Sequence, residues 1–374
     1  MGESLQLNFP GVSHVGRGTL AALGKEAAAL GSRALLVTGR RALRRAGITD
    51  RIVSLLRAAG VQVELFEDVP PEPDLAAVDA ARGRARQAEC DLLVEAGGGS
   101  AMDVGKVVAA LAFEDAPALE YHRGRPIARP GLPHIAIATT AGTGAEVTRN
   151  AVITDPQDRV KKSIRGDSLM PTVSITDPEL TLSCPPDVTA AAGMDALVQA
   201  VESFFSVHAI ATTESLSLGA VRLAVGSLNA AFRDGRNLAA RAAMSEASYM
   251  AGLALGSAGL GAVHGLAHPV GLCYDLPHGV VCAVLMPPVL ETNAHSAPEK
   301  YERLREAMGG EPVQMFGDML DRFGLRRVLG PYPDQEWLDL ITEYAVSSGS
   351  AKANPAPVDE DYVRRILRGV CVSA

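Results

Sequence analysis

Five polar side chains in the second half of the chain have types and spacings suited to metal chemistry. Asp195 and Gln199, in GMDALVQAVE, stand four residues apart and so share one helix face. His264 and His268, in VHGLAHPVG, repeat that spacing, and His278 follows in LPHGVV. Three of the chain's eight histidines thus fall within fifteen residues. Carboxylate, amide and imidazole groups in mostly apolar surroundings are costly to bury unless they pair or hold something. A lone core histidine is ordinarily just hydrogen-bonded, and it is the grouping that points to a site. An aspartate with imidazoles suits Fe2+ or Zn2+ with an open coordination position.

The first half carries signals of a different chemistry. GGGSAMDVGK (Gly97–Lys106) follows an apolar run and opens a helical one. Glycines let the backbone pass close to a diphosphate, and free N–H groups at a helix start attract its charge. A turn of this kind is equally compatible with a plain tight connection. There is no GxGxxG after the first strand, and GSAMDVGKV has the wrong ending for a Walker P-loop. A second polar turn, TTAGTGAEVT (Thr139–Thr148), follows HIAIA. Two Gly-rich turns at strand ends of one open sheet are the arrangement of a dinucleotide cleft. The hydroxyls of Thr139, Thr140 and Thr143 are placed to bond phosphate or nicotinamide, or to act as helix caps.

These turns need a sheet to hold them. Arg33–Thr38, Val61–Phe66, Asp91–Glu95 and His134–Ala138 read as strands. Ala42–Ala59 and Asp74–Ala88 read as the helices between, the second capped by Asp74. Strand and helix alternating at this spacing predict an α/β nucleotide-binding domain over residues 1–184, with a mostly parallel, Rossmann-like sheet. After Pro185 strand signals vanish. Ala190–Ser206, Thr213–Phe232, Leu238–Ser257, Glu299–Met308, Val313–Phe323 and Glu336–Ser347 have helical periodicity, so residues 185–374 are expected to form an all-helical domain with the metal and substrate chemistry. TDPELTLSCPPD is the natural boundary.

Composition narrows the function classes. At 374 residues, 47% apolar and 21% charged, the chain can bury two cores. A net charge of −8 with no basic run argues against nucleic acid. The uncharged apolar stretch within Met250–Pro269 is broken by glycines and holds two histidines, so it reads as a buried helix and turn, and no membrane span is expected. MGESLQLNFP has no basic start or apolar run, so no secretion signal is read. Cys90, Cys184, Cys273, Cys282 and Cys371 form no CxxC and read as small hydrophobes in a reducing, cytoplasmic compartment.

Taken in order, GGGSAMDVGK, TTAGTGAEVT, the lysine of VKKS, ITDPELTLSCPP, GMDALVQAVE and VHGLAHPVG…LPHG resemble the iron-containing alcohol dehydrogenase family over most of the chain. The resemblance implies a nucleotide-binding domain, a helical domain, a cleft between them and a homodimer. It implies reversible hydride transfer between a nicotinamide cofactor and a small alcohol or aldehyde, with a divalent metal as Lewis acid. By that likeness Gly97, Gly98, Ser100 and Asp103 hold the dinucleotide, Thr139, Thr140 and Thr143 form the second cofactor turn, and Lys162 contacts the cofactor. Asp195, His264 and His278 match metal ligands, and His268 matches a position suited to proton relay.

Three positions depart from the family pattern. Gln199 stands where most members have a histidine ligand, and an amide oxygen is a weaker donor to a transition metal. Gly39 stands where NAD-preferring members often have a ribose-binding aspartate. Its loss removes repulsion toward a 2′-phosphate, which Arg40 or Arg41 could pair, so NADP(H) is expected over NAD(H). Leu272, between the histidines, is expected to narrow the pocket. The alternatives are a metal-free reductase of the maleylacetate reductase type and a dehydroquinate-synthase-like enzyme using NAD and a metal. Arg149, Arg165 and Lys161 could recognise an acidic substrate, but solvation explains them as well.

Overall fold

Eight strands punctuate the first half of the chain: β1 (Val12–Val15), β2 (Arg33–Gly39), β3 (Gln62–Val69), β4 (Leu92–Gly97), β5 (His134–Ala138), β6 (Asn150–Asp155), β7 (Val160–Arg165) and β8 (Val173–Thr176). They are seen in a computed structural model that describes residues 6–326 and 329–372. The N-terminal reading therefore falls partly on residues outside the described ones. Six strands form one all-parallel sheet in the order β1-β8-β5-β4-β2-β3, and β6 pairs antiparallel with β7 in a separate ribbon.

The sheet is buried on both faces, as parallel sheets require. Ala34 and Leu36 of β2 and Leu92 and Val94 of β4 pack into one core with Leu23, Ile52 and Leu56. Leu35 and Val37 of β2 and Leu93 of β4 point the other way, onto Val78, Val104 and Val108. From β2 the chain goes on to β3 at one side. From β4 it goes on to β5 at the other side. The carboxyl ends of β2 and β4 therefore flank a topological switch point, where open α/β sheets bind their ligands.

Four strands were legible in the sequence; β1, β8 and the ribbon were not. VSHV in β1 is a half-exposed edge strand, and VSIT in β8 alternates apolar residues with hydroxyls although it is wholly buried. The helix expected over Ala42–Ala59 is two helices, Ala42–Arg45 and Ile48–Ala58, because Gly47 adopts φ +71° between them. Asp74 caps Leu75–Gln87 by accepting the Ala77 N–H at 2.8 Å.

From Pro185 onward the chain is helical. Ala211–Arg233 is long and apolar enough to cross a membrane by length and composition. Here it packs along Pro186–Phe205 and buries Leu218, Val221 and Leu228. The apolar stretch 250–269 is the end of the Leu238–Ala258 helix and the start of Ala262–Tyr274, bent 104° apart. The described chain resolves into two compact units. One comprises Asn8–Cys184 with Gly235–Tyr249, and the other Pro185–Asp234 with Met250–Ala374. Gly235–Tyr249, beyond the expected boundary, is thus part of the α/β unit. Arg241 explains this locally, since its guanidinium donates to the Cys184 carbonyl at 2.9 Å.

Candidate metal centre and nucleotide turns

Three helices of the helical unit converge on one polar cluster. Pro186–Phe205 begins with proline at its first position, where no N–H is missed, and carries Asp195, Gln199 and Glu202 on one face. Ala262–Tyr274 brings in His264, and His278–Ser296 starts with His278 and places Cys282 one turn on. A Cβ on Gly279 would lie 2.3 Å from the Ala191 carbonyl oxygen, so only glycine lets this helix start lie against Pro186–Phe205 and bring His278 to Asp195.

Ligand-type atoms of Asp195, His264, His278 and Cys282 all lie within 4.8 Å of one another. Asp195 Oδ1 is 3.4 Å from His264 Nε2 and 3.8 Å from His278 Nε2. Cys282 Sγ is 3.8 Å from His264 Nε2 and 3.5 Å from His278 Nε2. Asp195 is 2% exposed, yet Oδ1 accepts no hydrogen bond. Its other oxygen, Oδ2, accepts from the Gln199 amide nitrogen at 2.9 Å, while Gln199 Oε1 is buried with no hydrogen-bond partner. Buried orphan oxygens beside two imidazoles and a thiol are what a bound cation would satisfy, so the donor set fits a divalent metal.

Glu202 fixes His264. Its carboxylate accepts the Val263 N–H at 2.6 Å and the His264 N–H at 3.3 Å, capping the helix start, and takes the His264 Nδ1–H at 2.6 Å. The bond to Nδ1 turns Nε2 toward the cluster, where it is the ring nitrogen that a metal would take. Gly261 makes the approach possible, since a Cβ there would stand 2.7 Å from Glu202 Oε1.

Burial works against the Asp195 carboxylate, but the facing His264 and His278 imidazoles hold it below the usual range. Burial also works against charge on His264. The flanking Asp195 and Glu202 carboxylates outweigh burial and raise it well above the ordinary imidazole value. Burial pushes the Cys282 thiol up to about 12.

Of the residues expected here, Asp195, Gln199, His264 and His278 are brought together. His268 lies beside them, half-buried, its ring stacked on His278 at 5.0 Å and edge-on to Tyr344 at 6.2 Å. Leu272, one turn beyond His268, is half-buried. Glu202 and Cys282 were not singled out as site residues. Each stood at a helical spacing from a residue that was, Glu202 seven after Asp195 and Cys282 four after His278. Cys282 also departs from the reading of the cysteines as small hydrophobes. All five are free, and among them only Cys282 is fully buried.

In the α/β unit, β4 ends at Gly97 and the helix Gly99–Ala110 begins two residues later, with Gly98 as its N-cap. The Gly97 carbonyl accepts the Thr139 N–H at 2.9 Å, which sets the two turns side by side. A Cβ on Gly98 would lie 3.1 Å from Thr140 Oγ1, and one on Gly99 would lie 2.9 Å from the Thr143 methyl. Lys106, wholly buried, reaches across and donates to the Ala145 carbonyl at 2.9 Å and Thr148 Oγ1 at 3.0 Å. Burial lowers this lysine to about 8, against the opposing pull of Asp103, Glu95 and Glu146.

Other expected cofactor residues are engaged within the unit. Ser100 donates to the Pro71 carbonyl. Asp103 accepts the Val152 N–H at 3.0 Å, and burial pushes its carboxyl up to about 6 despite Lys106. Lys161 and Lys162 are neighbours in β7 and alternate across the ribbon. Lys161 pairs with Glu72, and its charge acts on Asp103, whereas the charge of Lys162 acts on His122. Gly39 ends β2 at the switch point, and Arg40 and Arg41 follow it, both exposed. Arg149 pairs with Asp167, so it and Lys161 already have acidic partners.

Comparison with known proteins agrees with this arrangement. Residues 10–178 match the family described as iron-containing alcohol dehydrogenase, and residues 189–371 match its C-terminal counterpart. The long-chain-alcohol dehydrogenase 1 of Geobacillus thermodenitrificans is 38% identical, the alignment covering 96% of this chain and 94% of that one. The crystal structure of a 1,3-propanediol oxidoreductase superposes with a TM-score of 0.92 at 33% identity, over 98% of this chain and 100% of the other. The sulfoacetaldehyde reductase of Bifidobacterium kashiwanohense, solved in complex with NAD+, superposes with a TM-score of 0.90 at 29% identity, over 99% of each chain.

Proposed function

The chain belongs to the iron-containing alcohol dehydrogenase family and is an oxidoreductase acting on CH–OH groups, and from that premise we propose that it interconverts a small primary alcohol and its aldehyde. The observation that carries the reading is the convergence of Asp195, His264 and His278 from three helices on one buried point. A divalent cation held by these residues supplies a Lewis acid for the substrate oxygen. The nicotinamide cofactor supplies or accepts the hydride.

The chain's own groups do the rest. Glu202 holds the His264 ring in one tautomer, and Gln199 holds one Asp195 oxygen so that the other is left for the cation. His268, stacked on His278, moves the alcohol proton toward solvent. The free N–H groups of Gly99–Ala110 receive the dinucleotide phosphates, with Thr139, Thr140 and Thr143 on the facing turn. Lys106 fixes the second turn against the helix that carries the first.

The finer assignments are proposals of the same standing. NADP(H) is preferred to NAD(H), supported by Gly39 in place of a carboxylate and by the exposed Arg40 and Arg41. The metal is Fe2+ or Zn2+. The enzyme acts as a homodimer in the cytoplasm, an address supported by its five free cysteines. Asp195→Ala and His264→Ala, assayed by oxidation of NADPH and NADH with an aldehyde panel, are expected to lower kcat/KM at least about a hundredfold. Rates within a few-fold of the wild type would sink the assignment. Because Gln199 replaces a ring nitrogen, a metal-free reductase is the second reading, and it requires full activity in chelator-stripped protein.

A further inference from the structure

Four interatomic distances in the polar cluster match four of the six edges of a coordination tetrahedron. With metal–nitrogen and metal–oxygen bonds near 2.0–2.1 Å and a metal–sulfur bond near 2.3 Å, tetrahedral angles give edges of about 3.3 Å for O···N and about 3.6 Å for S···N. The two Asp195 Oδ1 to imidazole distances are 3.4 and 3.8 Å, and the two Cys282 Sγ to imidazole distances are 3.8 and 3.5 Å. The thiol therefore stands where a fourth donor belongs. Asp195 Oδ1, buried and accepting no hydrogen bond, is a second and independent sign that the centre of this group is a ligand position. Gln199, the residue expected to complete the set, donates its amide nitrogen to Asp195 Oδ2 and keeps Oε1 as an oxygen donor beside the thiol.

We propose that Cys282 is a metal ligand, and that the Asp195–His264–His278–Cys282 set selects Zn2+ over Fe2+. This rests on the reading of the cluster as a metal centre. Thiolate is a soft donor that favours Zn2+, and Zn2+ also outranks Fe2+ in intrinsic affinity. On coordination the S–H bond breaks, its proton leaves to solvent, and a sulfur–metal bond forms with no change of oxidation state. Because the thiolate comes from the second turn of a helix whose first residue is also a ligand, one rigid element presents two donors. A zinc ion held by these four residues would still supply Lewis acidity to the substrate oxygen, by expanding its coordination.

The test is the near-ultraviolet absorption of full-length protein, stripped with chelator and reloaded with one equivalent of Co2+. A sulfur-to-cobalt charge-transfer band is expected in the wild type and in Gln199→Ala, and is expected to vanish in Cys282→Ser while Co2+ still binds. Competition with a chromophoric chelator should show Zn2+ affinity falling about a hundredfold or more in Cys282→Ser. Stoichiometric Co2+ with no charge-transfer band in the wild type overturns the thiolate ligand and leaves the metal centre standing. A band that survives in Cys282→Ser overturns it too, by assigning the sulfur elsewhere. Failure of the wild type to bind Co2+ or Zn2+ overturns this proposal together with the metal-dependent reading. The wild-type spectrum decides the matter even if the serine variant does not fold.

Discussion

Glu202 shows how much one side chain carries. It accepts two backbone N–H groups and one imidazole N–H while 2% exposed, so N–H donors from one helix start surround it. Glu202→Gln keeps the shape and removes the charge. Metal affinity, read by chelator competition, should fall about ten- to a hundredfold, as for other groups that orient a metal-bound histidine. An unchanged affinity would show that His264 needs no such partner. Asp103 makes a second case. Its carboxyl is raised to about 6 by burial, so the folded protein holds that proton more tightly than the unfolded chain. The stability this contributes is full below the ordinary value of about 4 and is lost as pH rises through about 6. Asp103→Asn should therefore gain on the wild type in denaturant-derived unfolding free energy as pH rises from about 4 to about 7. A constant difference over that range would mean that Asp103 titrates as it does in the unfolded chain.

At the scale of elements, the nucleotide turns work as a fitted pair. Gly99→Ala should drive its new Cβ into the Thr143 methyl, 2.9 Å away, and part the turns. Overpacking of this kind costs about 1–3 kcal/mol, and cofactor affinity by calorimetric titration should fall with it. Adding Thr143→Ser removes the offending methyl and should restore most of both losses. No rescue would mean that the two turns do not depend on this contact. Both turns were legible in the sequence because glycine clusters after apolar runs are strong local signals. The runs that became β2, β4 and β5 were legible for the same reason. VSHV and VSIT were not, since an edge strand and a four-residue strand with two hydroxyls have too little apolar pattern to stand out. Which faces of the ribbon Lys161 and Lys162 take depends on register, which is set by pairing with β6.

For the whole molecule, the order of motifs along the chain announced the two-part architecture. It did not announce that Gly235–Tyr249 folds with the α/β unit, because Arg241 finds the Cys184 carbonyl only once the chain has returned. The metal cluster was half legible. The histidines crowd in sequence, whereas Cys282 and Glu202 meet His264 only through packing of three helices. On the proposed function the buried cluster in the helical unit powers turnover. The most direct measurement is the rate of NADPH- or NADH-dependent aldehyde reduction by one preparation as isolated, after chelator stripping to no detectable metal, and after reloading with Zn2+ or Fe2+. Activity lost with the metal and regained at about one equivalent per chain is the predicted result. Undiminished activity in fully stripped protein would contradict it, and would recast Asp195, His264 and His278 as groups that act without a cation.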